Sequence, residues 1–368
     1  MPSIDQSLDP LRMDESSVTD QFVALSRYAG SWFDLLQAGG GNTSVKLDNH
    51  KMLVKASGYS LSEVQVGMGY VVVDYPKISR MLETSGEWAG GDRHDRDKRV
   101  NDFVTQATLS HSGKASIEVF LHAVLGRFVL HTHPIAVNII ASQADWDIGI
   151  SELFADALCV PYRTPGVELG AELYAQIKEY VSVHKVLPTI IVLQNHGLIV
   201  SADSVDDVRR ITEEVVATCS KRCSTDFGRY QRVTDIAKFV GNGSVAYLCE
   251  DRVVTHYLET QTTLFSQKPY CPDSLVFCGA APLMVDNLSD TSVVEAYQKK
   301  YHDLPKIVIH GGQIYFLAKT TRKAMEIEEV YKAHLLTLAS MKGQINYLSE
   351  SELAYLCNWD AEKYRRDK

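Results

Sequence analysis

Two histidines separated by one residue, His131 and His133, end an apolar run near the middle of the chain. The run at residues 128–130 predicts a buried strand, and alternate residues of a strand point to the same face of its sheet. The two imidazoles could therefore hold one metal ion, and Pro134 ends the strand behind them. Taken alone, such a pair is more often structural than metal-binding.

A third histidine, His196, follows a second apolar run at residues 190–193, within the sequence Gln-Asn-His-Gly. Polar residues at the end of a buried strand lie where α/β folds place their sites. Gly197 allows a sharp turn at this point. His196 could supply a third nitrogen ligand, and three imidazoles leave open the fourth position on zinc that catalysis requires.

A carboxylate, Glu118, opens a segment with helical character at residues 116–125. It could be a fourth metal ligand or a base beside the metal. His122 lies one helical turn later, on the same face of the helix. We expect His122 to orient Glu118 rather than to bind the metal itself.

A glycine-rich turn at residues 39–41 precedes Asn42 and Thr43, and a second polar turn contains Ser57 and Gly58. Glycines let backbone amides approach a ligand, and the neutral side chains add donors, which suits a phosphate or a similar oxyanion. No Gly-Lys-Ser/Thr follows, so the turn is not a P-loop. A lone glycine-rich turn is, however, more often only a turn.

The elements that must position these residues alternate between helical and strand patterns, which predicts an α/β fold. Helices are predicted within residues 20–37, 171–183 and 204–219, and strands at residues 43–47, 52–55, 70–73, 128–133 and 189–193. We divide the chain into a polar tail (1–20), a metal-binding domain (21–240) and a smaller C-terminal α/β appendage (245–368). In the appendage we expect a strand at 275–278, a hairpin at 305–318, a long helix at 320–341 and a final helix at 349–366.

The composition excludes several classes of protein. The 368 residues include 37 Lys and Arg against 46 Asp and Glu, and this net charge of −9 argues against a nucleic-acid binder. No apolar run approaches the ~18 residues of a membrane helix, and residues 1–20 do not resemble a signal peptide. Seven cysteines without CxxC pairs fit reduced thiols. We therefore expect a cytoplasmic protein that does not bind nucleic acid or membrane.

The motifs, taken together and in this order, resemble the class II aldolase/adducin family: a Gly-Asn-x-Ser turn, a Ser-Gly turn, a Ser-x-Glu helix start, His-x-His and Asn-His-Gly. The resemblance covers residues 24–228 and implies a three-layer α/β/α core with a mainly central β-sheet. Within the family it is closest to the aldolase part of bifunctional rhamnulose-phosphate aldolase/lactaldehyde dehydrogenases. No GxGxxG fingerprint is present, so NAD chemistry is not predicted.

The resemblance also implies roles for individual residues. It makes His131, His133 and His196 the ligands of Zn²⁺, or of another divalent metal such as Mn²⁺ or Co²⁺. It makes Glu118 the acid/base, which can also touch the metal in the resting site. The positions that match phosphate-binding or other substrate-binding residues are Asn42, Thr43, Ser57, Gly58 and Ser116, and we place His122 and Asn195 behind the ligands as supporting residues.

The implied function is that of a zinc-dependent aldolase, a lyase that cleaves a ketose phosphate to dihydroxyacetone phosphate and an aldehyde through a metal-stabilised enediolate. Glu118 would shuttle the proton at C3, and no lysine Schiff base is needed, so Lys46 and Lys55 are expected to be surface or anion-facing charges. A decarboxylase of a phosphorylated 3-oxo sugar acid, an epimerase (which carries Asp in place of Glu118) and a dehydratase are the alternatives. A non-enzymatic adducin-like interaction protein is less expected because all three histidines are present. Related aldolases imply a homotetramer.

Overall fold

The computed structural model describes residues 15–84, 92–110, 113–241 and 244–358. It divides into two compact units, Met1–Asp226 and Phe227–Lys368, each with its own sheet and hydrophobic core. Of the expected polar tail at residues 1–20, residues 1–14 lie outside the described residues. The remainder already belongs to the first helix, which begins at Glu15.

The first unit is a three-layer α/β/α domain, as the sequence predicts. Its strands are β1 (Asn42–Lys46), β2 (Lys51–Lys55), β3 (Tyr70–Asp74), β4 (Phe128–Thr132), β5 (Leu158–Val160), β6 (Ile190–Leu193) and β7 (Gly197–Ala202). Its helices are α1 (Glu15–Gly30), α2 (Tyr75–Glu83), α3 (Arg93–Ala107), α4 (Val119–Ala123), α5 (Ile135–Ala141), α6 (Trp146–Leu153), α7 (Val167–His184) and α8 (Val205–Cys223).

The seven strands form one sheet in the order β3-β2-β1-β4-β7-β6-β5. All neighbouring strands are antiparallel except β5 and β6, which are parallel. Helices α2, α3, α4 and α7 pack on one face, and α1, α5 and α8 pack on the other. Because β4 and β6 run in the same direction and β1 opposes β4, the ends of β4 and β6 meet the start of β1 at one edge of the sheet.

Backbone proximity requires a glycine where β7 begins. A Cβ atom on Gly197 would lie 2.2 Å from the carbonyl oxygen of Thr132, inside any permitted contact. Thr132 pairs with Leu198 in the antiparallel ladder between β4 and β7. The glycine of the Asn-His-Gly sequence therefore lets β7 approach the histidine-bearing strand.

The predicted start of α8 is confirmed. The Ser204 hydroxyl accepts a hydrogen bond from the backbone amide of Asp207 at 3.1 Å. Asp206 and Asp207 occupy the first turn, where the helix dipole favours negative charge. The helix continues to Cys223, four residues beyond the predicted end.

The second unit is a smaller α/β domain with a four-stranded sheet in the order β8-β11-β10-β9. Its strands are β8 (Val245–Leu248), β9 (Leu283–Met284), β10 (Ile307–His310) and β11 (Gln313–Ala318). Its helices are α9 (Gly228–Val240), α10 (Arg252–Thr260), α11 (Pro272–Cys278), α12 (Ser292–Tyr301), α13 (Thr321–Ser340) and α14 (Glu350–Asn358). The predicted hairpin (β10 and β11) and the predicted long helix (α13) are confirmed, whereas residues 359–366 of the predicted final helix lie outside the described residues.

One strand prediction in this unit is wrong. Residues 275–278 belong to helix α11, not to a strand. Pro272 occupies the first turn, where its missing amide costs nothing, and Gly279 ends the helix at φ +79°. These two residues determine the structure of an apolar run that is too short to show its own periodicity.

The division between the units comes at Asp226, earlier than the Gly-Asn-Gly-Ser segment that the sequence favours as a boundary. Helix α9 lies between the two positions, and it packs on β8 and β11 of the second sheet. Val233, Ile236 and Val240 of this helix enter the core of the second unit. Among the described helices, none combines the length and the apolar content that a membrane span requires.

Candidate metal centre

Strand β4 carries His131 near its end, and His133 comes directly after its last residue, Thr132, so both imidazoles lie at one edge of the first sheet. His131 is fully buried, and its Nδ1 atom lies 3.0 Å from the carbonyl oxygen of Leu198. With Nδ1 held there, Nε2 is the nitrogen of His131 that faces the other two imidazoles. The Nε2 atom of His133, two residues on, lies 3.1 Å from Nε2 of His131, as the spacing along a strand predicts.

The short turn between β6 and β7 delivers the third imidazole. Asn195 adopts φ +54°, a left-handed conformation that asparagine tolerates better than most residues. The next residue, His196, then points back across the sheet edge, and its Nε2 atom lies 3.3 Å from that of His131. Asn195 is itself exposed, so its contribution is the backbone turn.

The carboxylate comes from the residue that immediately precedes helix α4. Glu118 Oε1 lies 3.1 Å from Nε2 of His196 and 3.6 Å from Nε2 of His131. One ligand atom from each of Glu118, His131, His133 and His196 lies within 4.8 Å of the other three. The structure thus brings together all four residues that the sequence singles out for metal binding.

These distances fit a small divalent cation. Two nitrogens that each lie about 2.0–2.1 Å from one tetrahedral ion are about 3.3 Å apart, close to the 3.1 and 3.3 Å separations of the imidazole Nε2 atoms. Three imidazoles and one carboxylate form a donor set typical of zinc and of other first-row divalent metals. The four residues can therefore hold a metal, with the identity of the ion left open by the geometry.

The protonation states also suit metal binding. Burial alone would raise the pKa of the Glu118 carboxyl, but His131 and His196 lower it by more, so the net pKa is far below its usual range. Burial, with smaller effects from His131 and His196, lowers the pKa of His133 to about 3. At neutral pH the carboxylate is ionised and the His133 imidazole is neutral, and these are the forms that bind metals.

Strand β1 supplies a partner for the carboxylate. Asn42 is directly opposite His131 in the β1–β4 ladder, and its Nδ2 atom donates a hydrogen bond to Glu118 Oε2. One oxygen of Glu118 therefore faces the imidazoles while the other is held by an amide. The sequence predicted Asn42 as a phosphate contact, and this link to Glu118 was not foreseen.

A family model covers this part of the chain. The model of the class II aldolase and adducin N-terminal domain matches residues 20–223, more than half of the sequence. The chain belongs to the class II aldolase/adducin family. No curated protein matches the chain significantly.

Several solved structures of this family are similar to the chain. The N-terminal class II aldolase domain of a conserved protein from Thermoplasma acidophilum is 24% identical with a TM-score of 0.48, over 60% of this chain and 100% of that one. An aldolase II superfamily protein from Pseudomonas syringae is 16% identical with a TM-score of 0.40, over 58% and 77%. A sugar-phosphate aldolase from Thermotoga maritima is 14% identical with a TM-score of 0.39, over 58% and 97%.

The class II aldolase domain brings together three of the residues predicted to contact phosphate. An isolated bridge pairs Ala56 with Ala115, and the amide of Ser57 donates to the carbonyl of Lys114 at 2.8 Å. The exposed turn at Ser57 and Gly58 therefore lies beside the segment that ends in Ser116. The Ser116 hydroxyl accepts a hydrogen bond from the Glu118 amide at 3.3 Å, which connects this group to the metal centre.

Thr43 does not join this group, contrary to the sequence prediction. Alternate residues of β1 face opposite sides of the sheet, and Thr43 lies on the side away from Glu118. Its side chain is fully buried, and its hydroxyl lies 2.6 Å from the hydroxyl of Ser26 in helix α1. The residue therefore connects β1 to α1 and is closed to a ligand.

His122 lies on the same side as the metal centre, but no hydrogen bond connects it to Glu118. Its Nδ1 atom lies 2.8 Å from the hydroxyl of Ser44, and its Nε2 atom has no partner among the described residues. Burial lowers the pKa of this fully buried imidazole to about 3. The prediction that His122 orients Glu118 is therefore not supported by a direct contact.

Lys55 was predicted as a surface or anion-facing charge, and the structure excludes the surface position. The side chain is 3% exposed, and its Nζ atom donates to the carbonyl of Gly39 at 3.3 Å. Burial lowers the pKa of Lys55, while Glu118 and Glu63 oppose this change. Its interaction with Glu118 places a positive charge close to the predicted site, beside the glycine turn.

Proposed function

We propose that this protein is a divalent-metal-dependent lyase of the aldolase type that cleaves a ketose phosphate to dihydroxyacetone phosphate and an aldehyde. One observation carries the proposal: three imidazole Nε2 atoms and one carboxylate oxygen converge at the edge of the sheet. Family membership supports chemistry of this kind. The complete donor set favours an enzyme over an adducin-like interaction protein, since an interaction surface has no need of it.

The metal and the carboxylate would divide the work. A divalent cation, when bound by the three histidines, supplies Lewis-acid stabilisation of the negative charge that develops as a carbon–carbon bond beside a carbonyl breaks. Glu118 is ionised at rest, so it can take a proton from C3 of the three-carbon donor in the condensation direction and return it in cleavage. Asn42 holds the carboxylate in place during this exchange.

The phosphate group would bind at the turns beside Ser116. Ser57 and Gly58 are exposed there, and Ser116 lies two residues before Glu118, so an anion at this position would be held at a fixed distance from the base. The ammonium group of Lys55 is buried nearby and contributes positive charge. This local arrangement offsets the acidic field of the whole chain.

A screen of ketose 1-phosphates tests the proposal. Purified protein loaded with Zn²⁺, Mn²⁺ or Co²⁺ is mixed with each substrate, and dihydroxyacetone phosphate is measured by a coupled reduction. We expect release of dihydroxyacetone phosphate from at least one sugar, and Glu118→Gln should lower turnover by about 10²–10⁴-fold. The matched control is Glu214→Gln, which changes an exposed carboxylate on α8.

Two outcomes would overturn the proposal. The same screen includes phosphorylated 3-oxo sugar acids, and CO₂ release without dihydroxyacetone phosphate would identify a decarboxylase. Purified protein that retains no metal after dialysis from each of the three ions would remove the metalloenzyme interpretation altogether. Near-normal turnover of Glu118→Gln would contradict the assigned role of that residue alone.

A further inference from the structure

Helix α5 begins two residues after His133 and contains an asparagine that contacts another predicted ligand. Asn138 Nδ2 donates a hydrogen bond to the backbone carbonyl of His196 at 3.2 Å. A second bond joins the same elements, because the amide of Asn195 donates to the carbonyl of Ala141 at 3.1 Å. The turn that carries the third histidine is therefore attached to the helix that follows the first two.

The three histidines differ in how their positions are fixed. His131 is held through its ring, since its Nδ1 atom contacts the Leu198 carbonyl. The Nδ1 atom of His196 is buried and has no partner among the described residues. The Nδ1 side of the His196 ring therefore has no anchor like that of His131, and Asn138 binds the backbone of the same residue.

Asn138 also carries a hydrogen-bond acceptor, its side-chain oxygen. Its Oδ1 atom is buried and also lacks a partner among the described residues. An imidazole that binds metal through Nε2 carries its proton on Nδ1, and such a proton is normally donated to a carboxylate, a carbonyl or a water. An unpaired acceptor and an unpaired donor therefore lie on two residues that already contact each other.

We infer that Asn138 is a positioning residue for His196 and thereby sets how tightly the three-histidine site holds its metal. The inference rests on the proposed metal centre and concerns its assembly. Asn138 touches neither the metal nor the substrate in this account. Its action passes through the backbone carbonyl of His196.

Asn138→Leu tests the inference, because leucine branches at the same position as asparagine but has neither donor nor acceptor. We expect zinc affinity, measured by competition with a chromophoric chelator, to fall by about 10–100-fold. The visible absorption bands of the Co²⁺-loaded protein should also change, because the geometry around the ion changes. Gln143→Leu is the control: this amide also donates to a main-chain carbonyl, that of Ile139, but is exposed, so its loss should leave affinity and spectrum unchanged.

A double-mutant cycle separates positioning from general stabilisation. If Asn138 acts through His196, Asn138→Leu should weaken metal binding no further in a His196→Ala background. It should retain its full effect in a His133→Ala background. An equal loss in both backgrounds, or unchanged affinity in the single variant, would overturn the inference.

Two further measurements keep the result interpretable. If Asn138→Leu does not fold, as judged by circular dichroism, Asn138→Asp replaces it: this variant keeps the shape and an acceptor oxygen but loses the donor to the His196 carbonyl, and it should show the same dependence on His196. Wild-type protein that binds no metal would overturn the metal centre and the inference together. Wild-type protein that binds metal, beside an Asn138→Leu variant with equal affinity, would refute the positioning role and leave the metal centre intact.

Discussion

The two units both bury histidine side chains, but in the described residues only the first brings several of them to one point. In the first unit His131 faces two other imidazoles and a carboxylate. In the second unit His334 stacks between Tyr270, at 5.2 Å, and Tyr331, at 5.8 Å. The first environment supplies ligand atoms around a common centre, whereas the second supplies flat aromatic surfaces and, among the described residues, no charged partner.

The two units also differ in net charge. Residues 227–368 contain seventeen basic and seventeen acidic side chains, so the entire formal charge of −9 belongs to residues 1–226. The unit proposed to bind an anionic substrate is thus the acidic one. Burial of a histidine therefore indicates a site only when converging donors accompany it, and net charge does not locate an anion site.

The largest expected effect separates the two kinds of buried histidine. His196→Ala removes a proposed ligand from the first unit. We expect metal affinity to fall by more than ~100-fold, which is the largest loss typical of a residue that only supports a ligand. His334→Ala removes a buried imidazole from the second unit and should leave metal content unchanged. Elemental analysis after dialysis measures both, and equal metal loss in the two variants would abolish the distinction.

The second unit should lose stability in acid because of His334. Burial lowers its folded-state pKa to about 4, below the ~6.5 of an unfolded chain. Between these values the unfolded chain binds the proton and the folded chain does not. The free energy of unfolding should therefore decrease by up to about 3 kcal/mol as the pH falls from ~6.5 to ~4, and should not change above this window.

Urea unfolding followed at several pH values measures this change. His334→Phe keeps an aromatic ring between Tyr270 and Tyr331 but cannot titrate, so its stability should vary less with pH across the same window. A variant that retains the full acid loss would assign the effect to other groups. The metal centre of the first unit is not involved in this comparison.

A smaller effect should distinguish neighbouring residues of β1. Asn42→Leu removes the charge-assisted hydrogen bond to Glu118, which should lower turnover about 10-fold and raise the pKa of the carboxyl. Thr43→Val removes the buried contact with Ser26, which should lower stability while turnover per folded molecule is preserved. Kinetics and thermal unfolding of the two variants measure this split, and a loss of turnover in Thr43→Val would show that the strand does not separate the two roles.

The smallest expected effects compare matched helix caps in the two units. Ser204 accepts a hydrogen bond from the amide of Asp207 at the start of α8, and Thr320 accepts one from Lys323 at the start of α13. Replacing either by Ala should cost about 1 kcal/mol. If the units unfold separately in calorimetry, Ser204→Ala should lower the transition temperature of the first unit and Thr320→Ala that of the second. If each variant shifts both transitions equally, the two units unfold as one cooperative unit.

The features predicted well from sequence are those with local causes. The alternation of a strand places His131 and His133 on one face, the cap residues start α8, and the turn at Gly311 and Gly312 closes the β10–β11 hairpin. Each of these depends on a few adjacent residues. The family likeness added the order of the motifs along the chain.

The features that were missed depend on contacts between distant segments. Asn42 meets Glu118 because β1 lies beside β4, and Asn138 meets His196 because α5 packs near the β6–β7 turn. Lys55 meets the carbonyl of Gly39, sixteen residues earlier in the chain. No spacing rule within one segment predicts these pairings, whereas the misassigned helix α11 could have been recognised from Pro272 and Gly279.

The proposed metal ligands come from three separate stretches of the chain: the start of α4, the end of β4 and the turn before β7. A bound ion would therefore act as a cross-link that closes two long loops of the polypeptide. The ion would bind the folded chain, whereas the unfolded chain has no preformed site for it. Bound metal should therefore slow the opening of the central strands. Amide hydrogens of β4 and β7 should exchange with solvent more slowly in the loaded protein, and those of β10 and β11 should exchange at the same rate with or without metal.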